Sequence, residues 1–218
     1  MKNNVVENII RRVTKKVLNE RKSDELSLNL SRLVINQFKR KENFSFDNIY
    51  FERGDEYASF DFECNFFEDK DLDEPFSVEA SADMQEMEIS ITYNPNKFPE
   101  SMSDLVAEIK ETIEHELEHI EQQNFEDMYV RDEEEYDEED EEYNFKYLTS
   151  KTEIPAYVRG LIKRSKVKKI TLDDAMEEWF KENKKKFKNK TKEWPIVKKI
   201  WKDYATKMRN QEKTKKFR

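Results

Sequence analysis

The sequence predicts an α+β fold: a small sheet, antiparallel or mixed, packed on one long helix, with helices before it and a basic helical extension after it. Three observations predict it. Four short segments between residues 49 and 94 are rich in β-branched and aromatic residues and alternate in polarity. The segments on either side repeat apolar residues at helical spacing. Aromatic residues make up 12% of the 218, enough to build a core although 41% of the chain is charged.

In chain order, Val6, Ile9, Ile10, Val13 and Val17 mark a helix over residues 4–20. Leu26, Leu30, Leu33, Val34 and Phe38 mark a second over 26–38, with Ser23 as its cap. Strands are expected at 49–53, 57–65, 76–82 and 86–94, with turns at Gly54-Asp55 and Asp69–Pro75; read as successive neighbours, they give an antiparallel sheet. A long helix runs from an N-cap at Ser103 to about Gln123. Ten of the eleven residues Asp132–Glu142 are acidic, and such a run repels itself and stays solvated as a loop. It lacks the spaced Asp-x-Asp-x-Asp-Gly pattern of a calcium loop. A further helix begins at Glu153 behind the cap Thr152, with Pro155 in the first turn where its missing N–H costs nothing. Helices over 172–187 and 195–210 complete the chain, the last with Ile196, Ile200, Tyr204 and Met208 on one face.

Charge divides the chain into a domain over 1–180 and a basic extension over 181–218. The extension holds sixteen Lys/Arg against four Asp/Glu, a net +12, whereas the whole chain carries −9. Nucleic acid could be held only through this extension, where Trp194, Trp201, Tyr204 and Phe217 stand among lysines. The same aromatics at helical spacing also read as core packing beneath a solvated lysine face. No apolar stretch approaches the ~20 residues that cross a bilayer, so no membrane partner is expected. Glu7, Arg11 and Arg12 interrupt any secretory leader, and Cys64 is the single cysteine, so a reducing cytoplasm is expected. Two glycines in the whole chain argue against nucleotide-binding loops, which need backbone without a Cβ. Oligomeric state is not legible.

The chain's two histidines, His115 and His119, flank Glu116 in His115-Glu116-Leu117-Glu118-His119. Scattered at random, two histidines would stand four apart in roughly one such sequence in a hundred, and the Glu narrows this further. At i and i+4 on a helix both imidazoles reach one Zn²⁺, and the adjacent Glu can take a proton from water. Leu105, Ile109, Ile113, Leu117 and Ile120 form an apolar stripe on this helix. Counting about 100° per residue from Ile113 places His115 and His119 at about 200° and 240°, opposite the stripe. That face suits a metal cleft, and it equally suits a solvated surface on a helix rich in Glu. A catalytic zinc needs a third protein ligand. With no third histidine and Cys64 in a strand, a carboxylate must serve, and Glu153 is the best candidate; its alternative is an acid placed at a helix N-terminus by the macrodipole.

The string His115-Glu116-x-x-His119, followed on a later helix by Glu153-x-x-Ala156, resembles the gluzincin branch of the zincin-like (HExxH) metallopeptidases, and more narrowly small bacteriophage-encoded proteins of that type. The likeness spans roughly residues 45–165. It implies a zincin-like domain in which His115, His119 and Glu153 ligate Zn²⁺ and Glu116 is the general base. Tyr157 is then the candidate for steadying the oxyanion, with Arg159 a weaker one; for Tyr157 the alternative is packing on a helix. The expected activity is zinc-dependent hydrolysis of peptide bonds through a metal-activated water, on polypeptides that the surrounding carboxylates bias towards basic ones. The alternative function is a non-catalytic protein of the same fold, a phage particle component or a regulator of the host. The expected location is accordingly the host cytoplasm or the virion.

Overall fold

The computed structural model describes residues 23–53, 56–98, 102–125, 141–183 and 193–216. The expected helix over 4–20, the turn Gly54-Asp55, the acidic run up to Asp140 and the end of the 172–187 helix lie outside the described residues. The chain is α+β and clusters into two compact units, Met1–Met128 and Tyr129–Arg218. Among the described residues no helix is long and apolar enough to cross a membrane.

The first unit runs α1 (Ser23–Phe38), β1 (Phe44–Arg53), β2 (Glu56–Glu68), β3 (Phe76–Ala82), β4 (Glu86–Tyr93) and α2 (Met102–Phe125). The sheet is mixed, in the order β1-β2-β4-β3: β1 and β3 pair antiparallel with their neighbours, while β2 and β4 run parallel. The purely antiparallel reading fails because β3 does not fold back onto β2. The connection over residues 69–75 is longer than a tight hairpin turn and carries the chain across the end of β4, so that β4 returns between β2 and β3. Asn94, 1% exposed, holds this arch through its Nδ2, which donates to Lys70 O and Leu72 O at 2.9 Å each.

β1 starts five residues before the expected strand. The period of two breaks at a bulge between Phe46 and Ile49, where Asn48 takes φ 56° and its N–H donates to Asp61 Oδ1 at 2.7 Å. The extra residue resets the alternation, so Phe44 and Phe46 before it and Ile49 and Phe51 after it all join the core. Phe60, Phe62, Cys64, Met87, Ile89 and Ile91 continue that core from the central strands.

Against it lies α2, packed on α1 and β3. Its stripe is buried as the spacing predicts: Leu105, Ile109, Ile113, Leu117 and Ile120 are each at most 3% exposed. Each such side chain contributes about 1.5–3 kcal/mol on leaving water, which fixes the rotation of the helix about its axis. The helix includes Ser103 rather than starting after it, a difference of the size usual at helix ends.

The second unit holds α3 (Glu141–Leu148), α4 (Glu153–Lys168), α5 (Leu172–Asn183) and α6 (Trp194–Lys216). The last two acids of the 132–142 run are thus helical rather than loop. The helices surround Trp201, fully buried, whose Nε1 donates to Leu148 O at 2.9 Å. Arg164, 4% exposed, donates through one nitrogen to both carboxylate oxygens of Glu182 at 2.6 and 2.7 Å, tying α4 to α5. Lys198 and Lys202 on α6 pair with Glu177 and Asp173 on α5. The extension expected from 181 therefore contributes α6 to an aromatic core shared with α3, α4 and α5.

Candidate metal centre

The motif lies whole within α2, so its spacing becomes geometry directly. His115 and His119, one turn apart, turn their rings toward each other with centroids 4.7 Å apart and planes at 78°. Their Nε2 atoms stand 3.0 Å apart. Two nitrogens about 2.0–2.1 Å from one tetrahedral ion are separated by about 3.3 Å, so small ring rotations suffice for both lone pairs to share a cation. Without a cation the same contact is a hydrogen bond between one ring N–H and the other ring's lone pair.

The face opposite the apolar stripe is not wet. His119 is 6% exposed and Glu118 5%, and Glu111 and Gln122 are buried as well; Glu116, 8% exposed, borders the stripe itself. His115 is half-buried. Gln122 Nε2 donates to Glu118 Oε1 at 3.4 Å. Asn124 Nδ2 reaches Ile120 O at 2.9 Å and Met84 O at 3.1 Å, anchoring the end of the motif helix to the β3–β4 turn. A carboxylate taken out of water is costly unless a proton, a hydrogen-bond donor or a cation answers it.

Glu153 lies in the second unit, in the first turn of α4, and is 3% exposed. Pro155 occupies that turn as expected. Thr152 sits at the cap position but makes no side-chain capping bond. Ser150 does that work instead: its Oγ accepts the Glu153 N–H at 3.1 Å and lies 3.1 Å from Thr152 Oγ1. The signal was present in the sequence as Ser150-x-x-Glu153, the spacing of a capping box. Tyr157, one turn on, is half-buried and stacks on Trp201 with centroids 4.9 Å apart, edge-on to Trp179 at 5.0 Å. Its ring is a packing element of the second unit. Arg159 is half-buried on the same helix.

The donor set fits a divalent cation of borderline softness: two imidazole nitrogens and a carboxylate suit Zn²⁺ better than the all-oxygen cages of Ca²⁺ or Mg²⁺. Cys64 takes no part. It is fully buried in the sheet, and burial, with the charge of Glu63 beside it, pushes its thiol up to about 12. Comparison with protein-family models, with curated proteins and with solved structures finds no match to this chain.

Proposed function

We propose that the chain is a zinc-dependent peptidase of the gluzincin kind, with a zincin-like arrangement of motif helix and sheet. The observation that carries the proposal is the approach of the two histidine Nε2 atoms to 3.0 Å on one face of α2. In this reading Glu153 would be the third ligand, so that His115, His119 and Glu153 each offer one atom to the ion. Bound Zn²⁺ would supply a Lewis acid that polarises a carbonyl and acidifies water. The two imidazoles would hold the ion through Nε2, and the carboxylate of Glu153 would offset part of its charge. Glu116, next to His115 on the helix, accepts the proton of the attacking water at a carboxylate oxygen and returns it to the leaving amine. The six glutamates Glu108, Glu111, Glu114, Glu116, Glu118 and Glu121 on α2 support a basic polypeptide as substrate.

One observation favours a second reading, a metal-holding protein without turnover. Glu116, His119 and Glu153 are each under a tenth exposed, which leaves a polypeptide substrate little access to them. The experiment is metal analysis of the purified chain, followed by incubation with an unstructured lysine-rich polypeptide. Stoichiometric zinc with cleavage that Glu116→Gln abolishes supports the peptidase. Zinc without cleavage selects the second reading, and no zinc after reconstitution removes both.

A further inference from the structure

The four strands contain a single basic residue, Arg53 at the end of β1. Carboxylates crowd the centre of the sheet face turned away from the core. The parallel register of β2 and β4 sets Asp61 directly opposite Glu86 and Glu63 directly opposite Glu88, and all four are exposed. Like charges in that relation destabilise a sheet. Only neutral donors answer them: the Asn48 N–H bonds Asp61, and Asn65 Nδ2 lies 2.8 Å from Glu63 Oε1 and 3.5 Å from Glu88 Oε1. Among the described residues none of the four has an ion pair. Beside them on the same face Tyr50 is 45% and Tyr57 73% exposed, two aromatic faces that suit ammonium and guanidinium groups.

A surface built this way asks for a cationic polypeptide, and this chain carries one: residues 181–218, net +12. Lys198 and Lys202 of α6 are already paired with α5 carboxylates, but Lys199, Lys207 and Arg209 are exposed. A second copy of the chain brings the charge complementary to this face. We propose that the outer face of the sheet docks the lysine-rich segment 181–218 of a second copy of the chain, so that copies associate head to tail through charge. This is independent of the metal centre.

The test is the mass of the full-length chain by sedimentation from about 1 to 100 μM, at about 0.03 and 0.3 M salt. The expected result is a mass that rises with concentration at low salt and an apparent Kd at least about tenfold weaker at high salt. Glu63→Gln with Glu88→Gln should weaken association by a further order of magnitude, roughly 1.4 kcal/mol. Asp137→Asn with Glu138→Gln, which removes the same charge from the acidic run, should leave it unchanged. Circular dichroism establishes that each variant folds. A chain that stays monomeric throughout overturns the proposal, even if it then binds a foreign oligolysine. Association that the two double variants weaken equally, or that the sheet variant leaves intact, overturns it as well.

Discussion

Replacing His119 with Ala removes one of two ring nitrogens that stand 3.0 Å apart, without touching the apolar stripe on the opposite face of α2. Four-ligand structural zinc sites are worth about 10–16 kcal/mol, or roughly 2.5–4 kcal/mol per ligand. Loss of one ligand from a three-residue set should therefore weaken zinc by about two to three orders of magnitude. If the wild type binds in the nanomolar range, about 1 μM free zinc stabilises it by roughly 4 kcal/mol, and the variant by only about 0.4–1.4 kcal/mol at the same concentration. The assay is competition with a chromophoric chelator, paired with thermal unfolding with and without zinc. Wild type should show a zinc-dependent rise in midpoint of the order of 10 °C, scaled from about 2–4 °C per kcal/mol for a chain of this size, and His119→Ala a rise of no more than about 5 °C. Glu153→Ala should behave like His119→Ala. Equal zinc affinity in wild type and both variants would refute the shared-cation geometry, and loss in His119→Ala alone would remove Glu153 from the ligand set.

Tyr157→Phe keeps the ring stacked on Trp201 and removes only the hydroxyl, so stability should hold; a fall of tenfold or more in peptidase turnover would assign that hydroxyl to the reaction, whereas unchanged turnover assigns Tyr157 to packing alone. Asn94→Ala removes two bonds that hold the 69–75 arch and should cost about 1–3 kcal/mol in denaturant unfolding; a cost near zero would mean the arch holds itself. Cys64 should resist thiol reagents at pH 8 and react on unfolding. Because its pKa is raised to about 12, the stability it contributes is complete below the ordinary thiol value and falls as pH rises from about 9 toward 12; Cys64→Ala should flatten that alkaline limb. Thr171 and Asp174 bond each other's backbone N–H at the start of α5, and Thr171→Ala should cost about 1 kcal/mol by thermal melting. These bonds hold the Asp174 carboxyl below its ordinary value, so its support of the helix should persist above that value and fade only as pH drops through the lowered one.

The elements that a single periodicity describes were legible. Strand 76–82 falls where expected and 86–93 ends one residue short, and the stripe of α2 placed both the buried face and the histidines opposite it. What was hidden depends on interruptions or on distance along the chain. The bulge at Asn48 splits β1 into two alternating halves out of phase, so each half alone looked too short. The position of β4 between β2 and β3 is a choice of partner, and alternation within a strand does not record it; the clue was the length of the 69–75 connection. For the candidate centre, the approach of the two histidine rings followed from local spacing, whereas the burial of Glu116 and His119 is tertiary. The cap at Ser150 is written in the sequence as Ser150-x-x-Glu153, although Thr152 stands nearer the helix start.

The insertion of β4 has a kinetic consequence. The β3–β4 hairpin closes over three residues and can form within microseconds, but joining it to β2 requires the parallel pairing, whose partners lie twenty-five positions apart, as in Asp61 with Glu86. Until that slower closure, Met87, Ile89 and Ile91 lack half of their neighbours and the underside of α2 has no completed surface to settle on. Nascent chains should accordingly pass through a state with a formed hairpin and a loosely held motif helix, and any metal would be captured late.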